Sequence, residues 1–373
     1  MRNALFSSLA LGGIELPNRI AVSPMAQYSS NADGCASDWH LVHLGQMSYS
    51  GAGLVMTEAT AIEPDGRGSL SCLGLYGDPQ EQALQRVVDF CRQSGNARLG
   101  VQLSHTGRKG SIRAPWAGRG TLPVEEGGWD VYGPSSIAAD GNGPVPTAFD
   151  AAALLRIKNA FCSAAERAVR IGFDVVELHA AHGYLLHQFL SPLSNQRSDE
   201  YGGDAVRRMR FPLEVAAAVR AVVPADRAIG VRISASDWAE GGFGLEDAVS
   251  FAGALKDIGC DYVCVSSGGL VGYQQIKVGP EYQVPFAAEV RERTGITTRA
   301  VGMIALPQQA EAIVASGRAD FVALGRAMLD DPRWGWHAAE VLGGKVNYPK
   351  QYERAGSAFW PGAKLLRPGP QET

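Results

Sequence analysis

Eight short runs, at residues 20–23, 54–57, 98–103, 175–179, 229–233, 262–265, 299–301 and 321–324, are apolar at nearly every position rather than at every second one. A strand buried on both faces gives that pattern, and strands of that kind belong to parallel sheets. The stretches between them carry helical spacing: 39–50, 80–94, 151–171, 205–223, 245–258, 286–293, 307–316 and a segment after Asp331. In 151–171 the residues Ala164, Ala168 and Ile171 form an apolar stripe, and Pro307 suits a first helical turn, where its missing N–H costs nothing. Strand, loop and helix recur without a composition break. The pattern predicts an α/β protein, a single (β/α)8 barrel over residues 1–360, with an open doubly wound sheet as the competing architecture. Ser23-Pro24-Met25 offers no glycine-rich turn after the first strand, which argues against the dinucleotide-binding form of that sheet.

Two pieces fall outside the repeat. Residues 11–20, with Gly12, Gly13 and Pro17, read as a hairpin closing the bottom of the barrel. Residues 107–150, rich in Gly and Pro and holding Trp116, Trp129 and Tyr132, are too long for a connector and read as a lid after strand 3. Residues 361–373 read as a disordered tail.

At 373 residues the length alone would suit two or three domains, and only the strand count favours one. The charge, 34 basic against 38 acidic side chains, gives no electrostatic reason for a nucleic-acid partner. No apolar run approaches the 18–20 residues of a membrane span, and the N-terminal segment lacks a signal-peptide core, so a cytoplasmic protein is expected. The six cysteines are scattered, which supports neither a disulfide framework nor a structural zinc site.

In a barrel, chemistry sits beyond the C-terminal ends of the strands. Those ends here carry Pro24 to Tyr28, Glu58-Ala59-Thr60, Gln102 with His105 and Lys109, the run His179 to Tyr184, Arg232, Ser266 to Gly269, Gly302-Met303 and Gly325-Arg326. The glycines after strands 7 and 8, with Arg326, suit a phosphate, because backbone amides can approach an anion closely there. His179 and His182 can converge on one ligand atom. They serve equally as two zinc ligands or as two donors to an oxygen. His40, His43 and His105 are expected to be packing histidines.

Several blocks, read together and in order, resemble one family. They are Leu16-Pro17-Asn18-Arg19, Ser23-Pro24-Met25, Glu58-Ala59-Thr60, the run Gln102 to Lys109, the run His179 to Pro192, and Asn195-Gln196-Arg197 through Tyr201-Gly202-Gly203. Over residues 5 to about 360 the chain is similar to the Old Yellow Enzyme flavoproteins, in the bacterial, thermophilic-like subgroup whose short C-terminal tails reach a neighbouring subunit. The resemblance implies one non-covalent FMN, NADPH or NADH as reductant, and ping-pong reduction of activated alkenes: unsaturated aldehydes, ketones, imides and nitro compounds. It implies an FMN site of Ser23, Pro24, Met25, Ala26, Ala59, Gln102, His179, Arg232, Gly268, Gly269, Gly302, Met303, Gly325 and Arg326. By the same likeness His179 and His182 grip the substrate oxygen, Tyr184 donates a proton, and Tyr28 lines the substrate pocket. Arg354 and Trp360 reach the site of a partner in a homodimer or homotetramer. The subgroup often carries cysteine where this chain has Ala26, so the flavin potential is expected to differ. Iron–sulfur relatives need clustered cysteines after the barrel, and the last cysteine here is Cys264. The rivals to this reading are a non-flavin phosphate-binding aldolase or isomerase, and a zinc hydrolase built on His179 and His182.

Overall fold

The computed structural model describes residues 3–118, 120–141 and 143–366. Eight parallel strands close on themselves in sequence order: β1 (Ile20–Val22), β2 (Leu54–Ala61), β3 (Arg98–Ser104), β4 (Val175–Ala180), β5 (Ala228–Ser234), β6 (Tyr262–Ser266), β7 (Thr297–Ala300) and β8 (Phe321–Leu324). The seam is the pairing of Val322, Ala323 and Leu324 with Ile20, Ala21 and Val22. Every residue of β4, β5, β6 and β8 is buried, the cause of the uninterrupted apolar runs in the sequence. The barrel is therefore the architecture, and the open sheet is excluded.

Helices pack outside, among them Asp38–Ser48, Asp78–Ser94, Ala151–Arg170, Ala205–Val222 and Leu245–Ile258. The helix Ala151–Arg170 buries Leu154, Ile157, Phe161, Ala164, Ala165 and Ala168 at three- and four-residue spacing. Its first turn is fixed by Asp150, whose carboxylate accepts from the amide of Ala153 at 2.7 Å. The predicted hairpin is present as Leu9–Leu11 against Ile14–Leu16. Its Leu11 and Leu16 pack with Ala21, Leu54, Met56, Val175, Ala228 and Phe321, which stoppers the barrel at its N-terminal end.

Strand β2 runs four residues past the expected 54–57, with its register broken between Met56 and Ala59. The Thr57 and Thr60 hydroxyls both donate to the carbonyl of Glu58 there, so side chains take over from the ladder. One layer below the strand ends the interior is polar. Glu177, fully buried, accepts from Gln102 Nε2 at 2.8 Å, from the Tyr262 hydroxyl at 2.7 Å and from Arg299, which is equally buried. Arg299 also lies over the rings of Tyr262 and Phe321.

The stretch 107–150 holds two short turns, Gly107–Lys109 and Val124–Glu126, and a two-residue strand pair, Tyr132–Gly133 with Thr147–Ala148. Its Trp116 meets the ring of Tyr28 edge-on at 5.7 Å. The C-terminal segment turns away from the strand ends. Asn347 lies beside Asn96, just ahead of β3, and Tyr352 stacks on Tyr49, at the end of the first helix. A groove of about 1020 Å³ runs between residues 93–96 and 343–359. Within the expected tail 361–373 a helical turn spans Ala363–Leu366, and residues 367–373 lie outside the described residues. No helix among the described residues is long and apolar enough to cross a membrane.

Candidate active site

A cavity of about 860 Å³ opens at the C-terminal ends of the strands, lined by Ser23, Pro24 and Met25 together with Gly302, Met303, Gly325 and Arg326. Arg232, from β5, faces it. That side chain is 8% exposed, and its Nε is buried without a hydrogen-bond partner. A buried guanidinium left this way needs an acceptor from a bound molecule. The residues thus fit FMN: a cation for the electron-rich edge of the ring, and glycine turns with Arg326 for its phosphate.

His179 ends β4, and His182 follows in a left-handed conformation (φ 55°) that turns its ring back toward His179. The close approach depends on glycine. A Cβ on Gly183 (φ 73°) would lie 2.3 Å from the carbonyl oxygen of Gly269, and one on Gly269 (φ 89°) would lie 2.6 Å from the Cα of His182. His179 Nε2 lies 3.4 Å from His182 Nδ1, and His182 Nε2 lies 2.8 Å from the Ser266 hydroxyl. Burial, then the positive charge of Arg232, hold both imidazoles well below the usual histidine range, so both are neutral near pH 7. Among the described residues no group of three His, Cys, Asp or Glu is placed to hold a metal ion. A zinc site on the pair would need a third protein ligand that this arrangement does not bring to it.

Tyr184 sits 4.7 Å from His179, ring to ring, and burial raises its hydroxyl above the usual tyrosine range. It keeps its proton until something strongly basic is near. Lys109, which the sequence marked only as a strand-end residue, ties the loop together: its Nζ donates to the carbonyls of His182 at 2.9 Å and Gly269 at 2.7 Å. Burial, with help from Arg108, brings Lys109 down to about 8. Tyr28, Ala26, Ala59 and Tyr184 share a small recess with Glu58 and Cys72.

Several residues expected at the cofactor are not among those lining this cavity: Ala26, Ala59, Gln102, His179, Gly268 and Gly269. Gly268 and Gly269 do not line the cavity: the amide of Gly268 donates to the carbonyl of Ser236, and that of Gly269 to Gln274 Oε1. Their left-handed turns seat the His182 loop instead. Gln102 is likewise absent from the cavity wall, its amide held by Glu177. Arg354 and Trp360 are both exposed, and neither lines the cavity of its own chain. Tyr282, Gln283 and Ile304 line it without having been singled out as site residues. Tyr282 and Gln283 lie between β6 and β7 in a stretch whose pattern carries no site signal. His40 and His105 are packing histidines, paired with Glu58 and Glu63 at 3.0 Å each.

Residues 4–343 match the NADH:flavin oxidoreductase / NADH oxidase family. An NADPH dehydrogenase of Listeria innocua is 44% identical over 352 residues, 94% of this chain and 98% of that one. One from Geobacillus thermodenitrificans is 41% identical over 355 residues, 95% and 99% of the two chains. Among solved structures, morphinone reductase superposes with a TM-score of 0.77 at 29% identity, covering 94% of this chain and 92% of the other. Barrel, cationic cavity and paired neutral histidines together define a flavin-dependent oxidoreductase. The chain belongs to the NADH:flavin oxidoreductase / NADH oxidase family, as an FMN-dependent NAD(P)H oxidoreductase of the Old Yellow Enzyme type.

Proposed function

We propose that the enzyme reduces the carbon–carbon double bond of α,β-unsaturated carbonyl, imide and nitro compounds, with His179 and His182 as the oxygen-binding pair and Tyr184 as the proton donor. The observation that carries this reading is the approach of two neutral imidazoles, next to a protonated tyrosine, with His182 at the wall of the cavity that Arg232 faces. Bound FMN supplies a hydride carrier that is charged by NAD(P)H and discharged to the alkene. The chain does the rest. Ser23, Pro24 and Met25 would pack against the ring and Arg232 would hold its electron-rich edge, while Gly302, Met303, Gly325 and Arg326 would surround the phosphate. The side chain of Gln102, pinned through its NH2 group by Glu177, would offer its carbonyl oxygen to the pyrimidine side of the ring, and Ala26 and Ala59 would lie against the ring. Two hydrogen bonds from the histidines polarise the substrate and stabilise negative charge on its oxygen, and Tyr184 delivers a proton to the α-carbon.

Residues 1–360 serve as one barrel, with Arg354 and Trp360 completing the site of a neighbouring copy in a homodimer or homotetramer. The position of the tail supports this: Asn347 and Tyr352 lie by the N-terminal ends of the strands, opposite the chain's own histidine pair. The test compares purified wild type with a His179→Ala/His182→Ala variant, measuring bound flavin by its absorption and the rate of maleimide, cyclohexenone and nitroalkene reduction. Alkene reduction should collapse while flavin content is retained. Parallel loss of both would assign the histidines to cofactor binding instead.

A further inference from the structure

The histidine pair has a hydrogen-bond arrangement that the proposed chemistry does not by itself require. His179 Nδ1 accepts from the amide of Ala181 at 3.2 Å, so the ring proton of neutral His179 is on Nε2, aimed at His182. What His182 presents in return depends on Ser266, 2.8 Å from its far nitrogen. The Ser266 hydroxyl has one proton and two places to send it: His182 Nε2, or Gln283 Oε1 at 3.3 Å. The second is already served. Gln283 is oriented by its Nε2, which donates to the carbonyl of Val301 at 3.1 Å, and its Oε1 accepts from Ser267 at 2.6 Å. A 3.3 Å contact to an oxygen so engaged is the weaker choice, and a 2.8 Å contact to a ring nitrogen the stronger.

We infer that Ser266, released from Gln283 by Ser267, donates to His182 Nε2 and fixes the His182 proton on Nδ1, making Ser266 a positioning residue for substrate. The inference rests on the oxygen-binding role proposed for the pair. With both tautomers set, the two facing nitrogens, His179 Nε2 and His182 Nδ1, 3.4 Å apart, both carry protons that a common acceptor can take. Neither can accept from the other, so the pair is unsatisfied until an oxygen with free lone pairs enters. Carbonyl, nitro and oxyanion groups fit, whereas a ligand atom that can only donate is refused. The reverse chain, with His179 donating to His182 and His182 to Ser266, would satisfy the pair internally and offer the substrate a single donor. Ser266 therefore acts through His182, on a tautomer equilibrium.

The experiment uses the FMN-loaded enzyme with 15N-labelled histidine. The ring resonances of His182 are assigned by their loss in a His182→Gln variant, and protonated and bare ring nitrogens are separated by their shifts. Wild type should show His182 protonated on Nδ1 and His179 on Nε2. Ser266→Ala should move the His182 proton to Nε2, and Ser266→Thr, which keeps the hydroxyl, should return it to Nδ1. Ser267→Ala, which touches neither histidine, should draw the Ser266 proton toward Gln283 and shift part of the His182 population to Nε2. In step with the tautomer, kcat/KM for the alkene should fall roughly 10- to 100-fold in Ser266→Ala and recover in Ser266→Thr, the loss expected for one weakened oxyanion donor. A wild-type His182 protonated on Nε2, or a Ser266→Ala enzyme still protonated on Nδ1, overturns the inference while leaving ene-reduction intact. The expected tautomers in an enzyme that reduces no activated alkene would instead sink the proposed function and leave the hydrogen-bond assignment standing.

Discussion

Replacing Gly183 by alanine separates what the glycine does for the fold from what it does for the site. The new Cβ would lie 2.3 Å from the Gly269 carbonyl oxygen and 2.8 Å from the Cα of Leu270, both backbone atoms that no side-chain rotation can move aside. Real contacts stay beyond 3.0 Å, so the two loops must part by roughly 0.7 Å. That displacement falls directly on His182, the preceding residue. Misplacement of a binding group by about 1 Å costs on the order of 100-fold, so kcat/KM for an alkene should drop by about two orders of magnitude. The left-handed alanine adds about 1–2 kcal/mol of strain. Gly241→Ala is the control: its φ is 69° and its Cβ would meet nothing within 4 Å, so it carries the strain without the collision. Thermal melts should show both variants lowered by a few degrees, with only Gly183→Ala crippled in steady-state turnover. A Gly183→Ala enzyme within threefold of wild-type kcat/KM would refute the claim that this contact sets the histidine geometry.

Three further outcomes are expected. Arg299→Met leaves Glu177 buried without its cation and should cost about 3–5 kcal/mol in urea unfolding, much of it recovered in the Glu177→Gln/Arg299→Met double variant; a loss under about 1 kcal/mol would contradict the pairing. Burial drives His43 down to about 4, below its unfolded value near 6.5, so the unfolded chain takes up a proton that the native state refuses. Its contribution is complete above pH 6.5 and declines as the pH drops toward 4, by about 2 kcal/mol at pH 5; His43→Leu should narrow the gap in melting temperature between pH 7 and pH 5, and an unchanged gap counts against it. Finally, Arg354→Ala subunits co-assembled with His179→Ala/His182→Ala subunits should regain activity, because the intact site of one receives the intact tail of the other; activity no higher than the sum of the separate variants would rule out exchange in trans.

The barrel was legible because its strands are buried on both faces, and that burial writes runs such as Ile229–Ile233 directly into the sequence. Strand limits were less so. Nothing in the sequence marks where the Thr57 and Thr60 hydroxyls capture the Glu58 carbonyl and prolong β2 past a broken register. His179, His182, Tyr184 and Arg232 could be read as strand-end polar residues. The part Gly269 plays in seating the His182 loop was not legible, because a turn that seats a neighbouring loop and a turn that admits a phosphate use the same residue. Gln283 escaped notice because it acts from a connecting segment, through two serines.

The ion pair of Glu177 and Arg299 has a consequence for traffic. Together with Tyr262 and the leucine stopper below, it blocks the barrel axis, so the described residues close the chamber from below and leave it open at the strand ends. A molecule that has given up its hydride must back out the way it came before the next guest can sit down. The alternation of reductant and alkene is then a matter of queueing, imposed by the floor of the room as much as by the cofactor on which both must stack.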